Sequence, residues 1–152
     1  MPVADTVDQA TRSRMMAGIR SINTKPELTI RRALHRRGFR YRLHSRKVIG
    51  RPDLVFPSHK ALIFVHGCFW HGHDCAFYRP PQTRKDFWLA KIETNQKRDA
   101  KVTHTLHSEG WRQLIIWECA IRGKKAPEVK SVIDKAEKWI LSKHRFAEIR
   151  GP

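Results

Sequence analysis

The run from Gly50 to Cys75, GRPDLVFPSHKALIFVHGCFWHGHDC, limits what this 152-residue chain can fold into more than any other stretch. Two apolar runs, residues 53–56 and 61–65, flank Pro57-Ser58-His59-Lys60. Proline fixes φ near the value a turn needs, so the spacing predicts two paired strands joined by a short loop. The second strand runs directly into His66, Gly67, Cys68, Phe69, Trp70, His71, His73, Asp74 and Cys75. A carboxylate, Asp53, opens one strand, and metal-binding side chains with bare aromatics close its neighbour. That arrangement predicts an active site at the edge of a sheet.

The flanking sequence supplies the rest of the fold. Thr24-Lys25-Pro26-Glu27 reads as a capping box with Thr24 as N-cap and Glu27 at N3, and Gly38 is a natural stop for the helix it opens. Phe39-Arg40-Tyr41-Arg42-Leu43 alternates apolar and basic, predicting a strand with one face inward and one toward phosphate. Residues 76–82 carry Pro80-Pro81 and predict irregular structure. Thr83 is then the expected cap of a long helix along which Trp88, Ile92, Asn95, Asp99, Val102 and Leu106 recur, ending at Gly110. Asn95 and Asp99 share the apolar stripe, so either they face a polar site or they sit wet at its flank. Residues 111–117, WRQLIIW, read as a buried strand, and residues 128–143 as a last helix burying Val132, Ile133, Ala136, Trp139 and Ile140. A strand pair, a crossover helix and a further strand predict a mixed sheet flanked by helices. The N-terminal part is expected to be flexible over residues 1–10 and helical over 11–22.

Charge points to the partner. Lys plus Arg number 31 against 14 acidic residues, a net charge of +17. From Leu28 to Pro52 there is no acidic residue, while nine Arg and Lys fall in that span. A solvated face mixes its signs, so an unmixed one suits a phosphate backbone. No apolar run approaches the roughly 18–20 residues that span a bilayer, and the expectation is one cytoplasmic domain over residues 1–152.

Three constellations carry chemistry. Cys68, His73, Cys75 and Cys119 form a Cys₃His set, the ligand count of a closed structural zinc site; a strand lying beside residues 61–65 would bring Cys119 to the same sheet edge. Asp53, His66, His71 and Glu27 form the second. Asp53 can hold a hard cation such as Mg²⁺, and the two imidazoles can act as base, acid or phosphate contact. Phe69, Trp70 and Trp88 form the third, suited to stacking on bases or wedging between base pairs, with core burial as the alternative.

The motifs GRPD, IFVHGCFWHxHxC (63–75), TRxxFWxxKI (83–92), NxxRD (95–99), GWR and IWECA, with Ala10-Thr11-Arg12-Ser13 ahead of them, resemble the very-short-patch-repair (Vsr) mismatch endonucleases from Ala10 to Trp139. The resemblance implies a three-layer α/β/α sandwich akin to type II restriction endonucleases, with zinc added. It implies a bacterial, nucleoid-associated, monomeric enzyme that nicks one strand beside the thymine of a T·G mismatch left by 5-methylcytosine deamination. Its substrate is double-stranded DNA, with other mismatch-repair proteins as further partners. By position, Asp53 and the Val65 carbonyl would hold Mg²⁺, His71 steered by Glu27 would be the base, and His66 would assist at the phosphate. Phe69, Trp70 and Trp88 would wedge from the major groove and Met16 from the minor groove, with Lys91 near the mismatched pair. Val65 stands where the family pattern has Thr, which a main-chain ligand tolerates. Gly72 and Asp74 replace His of some relatives without touching the zinc set. Two other readings remain: a non-catalytic zinc-stabilised DNA-binding module, and a restriction-type endonuclease cutting matched duplex.

Overall fold

The structure is a computed structural model and describes residues 23–76 and 78–151. The expected helix over 11–22, with Met16, lies outside the described residues.

Helix α1 spans Lys25–Arg36. Thr24 Oγ1 accepts from the Glu27 N–H at 3.4 Å, as the sequence predicts. The Glu27 carboxylate caps the Asn23 N–H at 3.0 Å, one residue earlier than a capping box requires. Gly38, at φ +93°, turns the chain out of the helix. Strands β1 (Arg42–Leu43), β2 (Leu54–Phe56) and β3 (Ala61–His66) follow, then helix α2 (Lys85–Ser108), β4 (Arg112–Trp117), α3 (Ala126–Ile140) and β5 (Phe146–Ile149).

The five strands lie side by side in chain order. β1–β2 and β2–β3 are antiparallel hairpin neighbours. β3–β4 and β4–β5 are parallel, with α2 and α3 as the crossovers. Period-two alternation divides the central strands between two cores. Leu54, Phe56, Ala61, Ile63, Leu114 and Ile116 pack with Ile30 and Leu34 of α1 and with Val132, Ile133, Ala136 and Ile140 of α3. Val55, Leu62, Phe64, Ile115 and Trp117 point the other way, against Val102 and Leu106 of α2. Helices thus cover both faces of a mixed sheet.

Five sequence expectations need correction. Only Arg42–Leu43 of residues 39–43 is strand, and Leu43 is exposed rather than inward; Phe39 and Tyr41 instead reach the core edge-on to Phe56. Thr83 does not cap α2. Arg84, left-handed at φ +49°, takes the cap position with no side-chain bond, its guanidinium over Phe87. β5 was absent from the expected order, because FAEI is short and its burial follows no clean alternation. The last helix also begins two residues earlier than expected and ends at Ile140. Not all of the basic run faces outward: Arg37 pairs with Asp134 and Glu137 of α3, docking α1 on it.

Arg112 ties the sheet to its surroundings. Its guanidinium donates to the carbonyls of Trp139 and His144 at 3.2 and 3.3 Å, and of His59 and Ile140 at 3.0 and 2.8 Å. It also lies 4.8 Å from the Trp139 ring centre. One cation therefore satisfies the carbonyl end of α3, the β2–β3 turn and the approach to β5. Arg112→Met, which keeps the stem and removes the donors, is expected to lower unfolding free energy by about 2–3 kcal/mol. Chemical denaturation checks this, and a loss below about 0.5 kcal/mol, the range of an ordinary surface substitution, would refute it.

Candidate active site and metal-ligand cluster

The chemistry gathers where β3 and β4 end together, their last residues His66 and Trp117 being register partners. Asp53 sits just before β2, buried and beside the end of β3. Its Oδ2 accepts the Val65 N–H at 2.7 Å. The N–H and C=O of a strand residue face the same side, so the Val65 carbonyl opens toward Asp53, past the last β2 residue paired with β3. Glu27, 1% exposed, is the neighbouring carboxylate. It is well supplied with cations and donors: Arg31 Nη1 and His44 Nε2 each lie 2.8 Å from Oε2. Among the described residues Asp53 has no basic side chain as near, His44 Nε2 lying 3.9 Å from its Oδ1. Burial, reinforced by the Glu27 charge, therefore pushes the Asp53 carboxyl up to about 8. Glu27, His44 and Asp53 offer three ligand atoms within 4.8 Å. A hard divalent cation fits beside Asp53, since it would supply the positive charge this carboxylate lacks.

His71 stands next to this pair. The sequence reading had Glu27 steering His71, but the bond runs elsewhere: His71 Nδ1 is held by Asp99 Oδ2 of α2. A carboxylate at Nδ1 takes the N–H of that nitrogen, and Nε2 is then the acceptor of the ring in its neutral form. The His66 ring stacks on that of His71 at 3.9 Å and 5°. Burial and the adjacent His71 push His66 down to about 3, so it is a neutral imidazole, and its buried Nδ1 meets no hydrogen-bond partner among the described residues. Asp53, His66, His71 and Asp99 line one cleft of about 350 Å³, whose wall also carries the exposed Arg51 and Arg98.

One turn of α2 fixes the loop after β3. Asn95 Nδ2 donates to the Trp70 carbonyl at 2.8 Å, Gln96 Nε2 to the His71 carbonyl at 3.0 Å, and Asp99 takes the His71 ring. Asn95 and Asp99 thus face the polar site, which decides between the two sequence readings. Gly72 permits the contact: at φ +59°, a Cβ there would come within 2.7 Å of Ile92 and Gln96. Phe69, Trp70 and Trp88 are half-buried and pack against one another edge to face, with centroids 5.4–5.8 Å apart. They are neither core nor free, and with His71 the first two line a second cleft of about 500 Å³. Lys91 is exposed on α2, three residues beyond Trp88.

On the far side of Trp117 lies the second cluster. Cys68, His73, Cys75 and Cys119 place four ligand atoms within 4.8 Å of one another, and none of the cysteines is in a disulfide. His73 Nδ1 is 3.6 Å from both Cys68 Sγ and Cys119 Sγ. Tetrahedral zinc, with bonds of about 2.3 Å to sulfur and 2.0–2.1 Å to nitrogen, sets such atoms about 3.5–3.6 Å apart. The donor set therefore fits the ion in chemistry and in spacing. Burial pushes the Cys68 and Cys119 thiols up and His73 down. The His73 ring stacks on Trp117 at 3.8 Å, and His66 meets the same indole edge-on at 5.2 Å. Trp117, anchored by Glu148 at 3.2 Å, is the shared wall of both clusters.

A family model described as DNA mismatch endonuclease Vsr matches residues 4–77. Over 147 residues the chain is 39% identical to the DNA mismatch endonuclease Vsr of Escherichia coli (strain K12), covering 97% of this chain and 94% of that one. The chain belongs to the Vsr family of DNA mismatch endonucleases. It is also 42% identical over 128 residues to the type II nicking enzyme V.XorIIP of Xanthomonas oryzae pv. oryzae, covering 84% and 94%. To the type II nicking enzyme V.NmeAIP of Neisseria meningitidis serogroup A it is 39% identical over 122 residues, covering 80% and 87%.

Within this Vsr chain, the residues matched by the family model take in Asp53, Val65, His66, His71 and three of the four zinc-type ligands. Asp99, Trp117 and Cys119 reach the site from outside that stretch. Sequence reasoning gave neither His44 nor Trp117 a place in the site. His44 is one more basic residue in a basic run, while Trp117 reads as an ordinary apolar strand residue. Among the described residues no helix is long and apolar enough to cross a membrane.

Proposed function

We propose that this protein nicks one strand of duplex DNA beside the thymine of a T·G mismatch, the product of 5-methylcytosine deamination. The observation that carries the reading is the meeting of Asp53 with the His71–Asp99 pair in one cleft, next to a half-exposed aromatic cluster. We read the chain as one restriction-endonuclease-like domain, acting as a monomer on DNA in the bacterial cytoplasm.

Asp53 and the Val65 carbonyl would hold Mg²⁺, which supplies Lewis-acid stabilisation of charge on the phosphate and the leaving oxygen. His71 accepts a proton from the attacking water at Nε2, and Asp99 stabilises the imidazolium so formed. His66, being neutral, cannot pair with phosphate as a cation. It keeps the His71 ring plane fixed and offers a hydrogen bond at the phosphate. Arg51 and Arg98 on the cleft wall bind backbone phosphate. Glu27, tied to Arg31 and His44, holds the cleft beside Asp53. Cys68, His73, Cys75 and Cys119 would hold structural Zn²⁺, fixing the loop that carries Phe69, Trp70 and His71.

Phe69, Trp70 and Trp88 wedge at the mismatch, with Lys91 near the pair and Met16 entering from the opposite groove. Opening a base step costs a few kcal/mol, and less at a mispair. A wedge therefore tests how easily the duplex opens. Wild-type protein with Mg²⁺ is expected to nick a T·G duplex and leave its T·A counterpart intact. Trp70→Ala should weaken T·G binding about ten- to a hundredfold, from roughly 1–3 kcal/mol per stacked base. Binding to the T·A duplex, which rests on phosphate contacts, should change far less. Equal cleavage of both duplexes by the wild type would overturn the mismatch reading. Equal losses of affinity with a clear drop in Tm would make Trp70 a packing residue instead.

A further inference from the structure

We propose that Arg150 and Gly151 form a clasp over the Cys₃His cluster, positioning residues that join its two sequence-distant halves and slow release of its metal. The inference rests on the zinc reading given above. The ligands come from two places: Cys68, His73 and Cys75 from the loop after β3, and Cys119 from the turn after β4. Parallel pairing of β5 with β4, Ile149 opposite Ile116, brings the residues after β5 alongside Cys119.

Both halves are then gripped. The Gly151 N–H donates to Cys119 Sγ at 3.3 Å. The Arg150 guanidinium donates to the main-chain carbonyl of Asp74, the residue between His73 and Cys75. A Cβ at position 151 would overlap the Cys119 carbonyl, so only glycine brings its N–H this close to the sulfur. The chemistry suits a metal-bound thiolate. Three thiolates around Zn²⁺ leave one net negative charge, which a buried site must offset. An N–H donor on one sulfur, with a guanidinium beside the ligand loop, does so. Outer partners of this kind typically change metal affinity by 10–100-fold.

The test uses the full chain and zinc itself. Wild type, Arg150→Met, Gly151→Ala and an exposed control, Lys135→Met, are purified and their zinc measured by mass spectrometry. Release to a chromogenic chelator is then timed without denaturant. Arg150→Met and Gly151→Ala are expected to release zinc at least about tenfold faster than wild type, and the control at the wild-type rate. In the Co²⁺-loaded protein, Gly151→Ala should also shift the sulfur-to-metal charge-transfer band, because one sulfur loses its donor. If Gly151→Ala does not fold, Arg150→Met carries the same measurement. Zinc-loaded variants releasing at the wild-type rate would overturn the clasp and leave the zinc site standing. Wild-type protein without zinc would overturn the zinc reading, and the clasp with it.

Discussion

Asp53→Asn is expected to fold, to bind duplex DNA and to lose nicking by at least about a thousandfold. Charge sets the effect. Arg31 and His44 each lie 2.8 Å from Glu27, whereas the short bond to Asp53 Oδ2 comes from the neutral Val65 N–H, which leaves this carboxylate to meet a cation. An amide keeps the size and can still accept from Val65, but it brings no charge to a divalent ion. Loss of one well-placed group supplying about 4 kcal/mol of transition-state stabilisation corresponds to roughly a thousandfold in rate. Nicking by the variant within about tenfold of wild type, at saturating Mg²⁺, would remove Asp53 from the mechanism.

The same residue predicts a pH dependence. Metal-free, the native state keeps the Asp53 proton up to about 8, whereas the ordinary value is 3.8. The folded protein therefore binds more protons than the unfolded chain between those limits, and stability from this group falls as pH rises through that window. Asp53→Asn should flatten the slope and raise Tm relative to wild type near pH 8 in the presence of a chelator. Metal binding must displace the proton, so Mg²⁺ affinity should rise with pH over the same range and level off above about 8. A metal-free wild type whose stability does not fall over that range would show that Asp53 is ionised without the cation.

Much of this was legible in the sequence because it depends on local spacing. Residues 53–56 and 61–65 are short apolar runs on either side of a proline turn, which forecast paired strands in a mixed sheet flanked by helices. Cys119 could be placed with Cys68 because parallel neighbours end at one edge. What could not be read depends on rotation and on long-range pairing. Asp99 lies 28 residues from His71, and helical spacing alone allowed it to face the site or the solvent. His44 meets Glu27 only because the chain turns back between α1 and β2. β5 lies at the sheet edge, where Phe146 is exposed and burial imposes no strict alternation. Thr83 failed as a cap because the preceding loop delivers Arg84 in a left-handed conformation, a property of the loop rather than of a cap motif.

The His71–Asp99 bond yields the second large effect, and a double-mutant cycle reads it. His71→Ala should lower the single-turnover nicking rate by about 10²–10⁴-fold, the range for loss of a general base. Asp99→Asn keeps the shape but replaces a charged acceptor with a neutral amide that can present its NH₂ to the ring. It should cost about a hundredfold by freeing the imidazole to adopt the wrong tautomer and by leaving the imidazolium without a counter-charge. Since Asp99 would act through His71, removing it in a His71→Ala background should cost little more, so the two effects are far from additive. Glu27 supplies the contrast. Its bonds go to Arg31, His44 and the Asn23 N–H, not to the His71 ring. The loss from Glu27→Gln should therefore multiply with that of His71→Ala instead of vanishing. Melting curves on every variant separate these rate effects from unfolding. Additive losses for His71 and Asp99 would mean that the carboxylate contacts DNA or metal on its own account. A non-additive Glu27–His71 pair would restore Glu27 as the residue that steers the base.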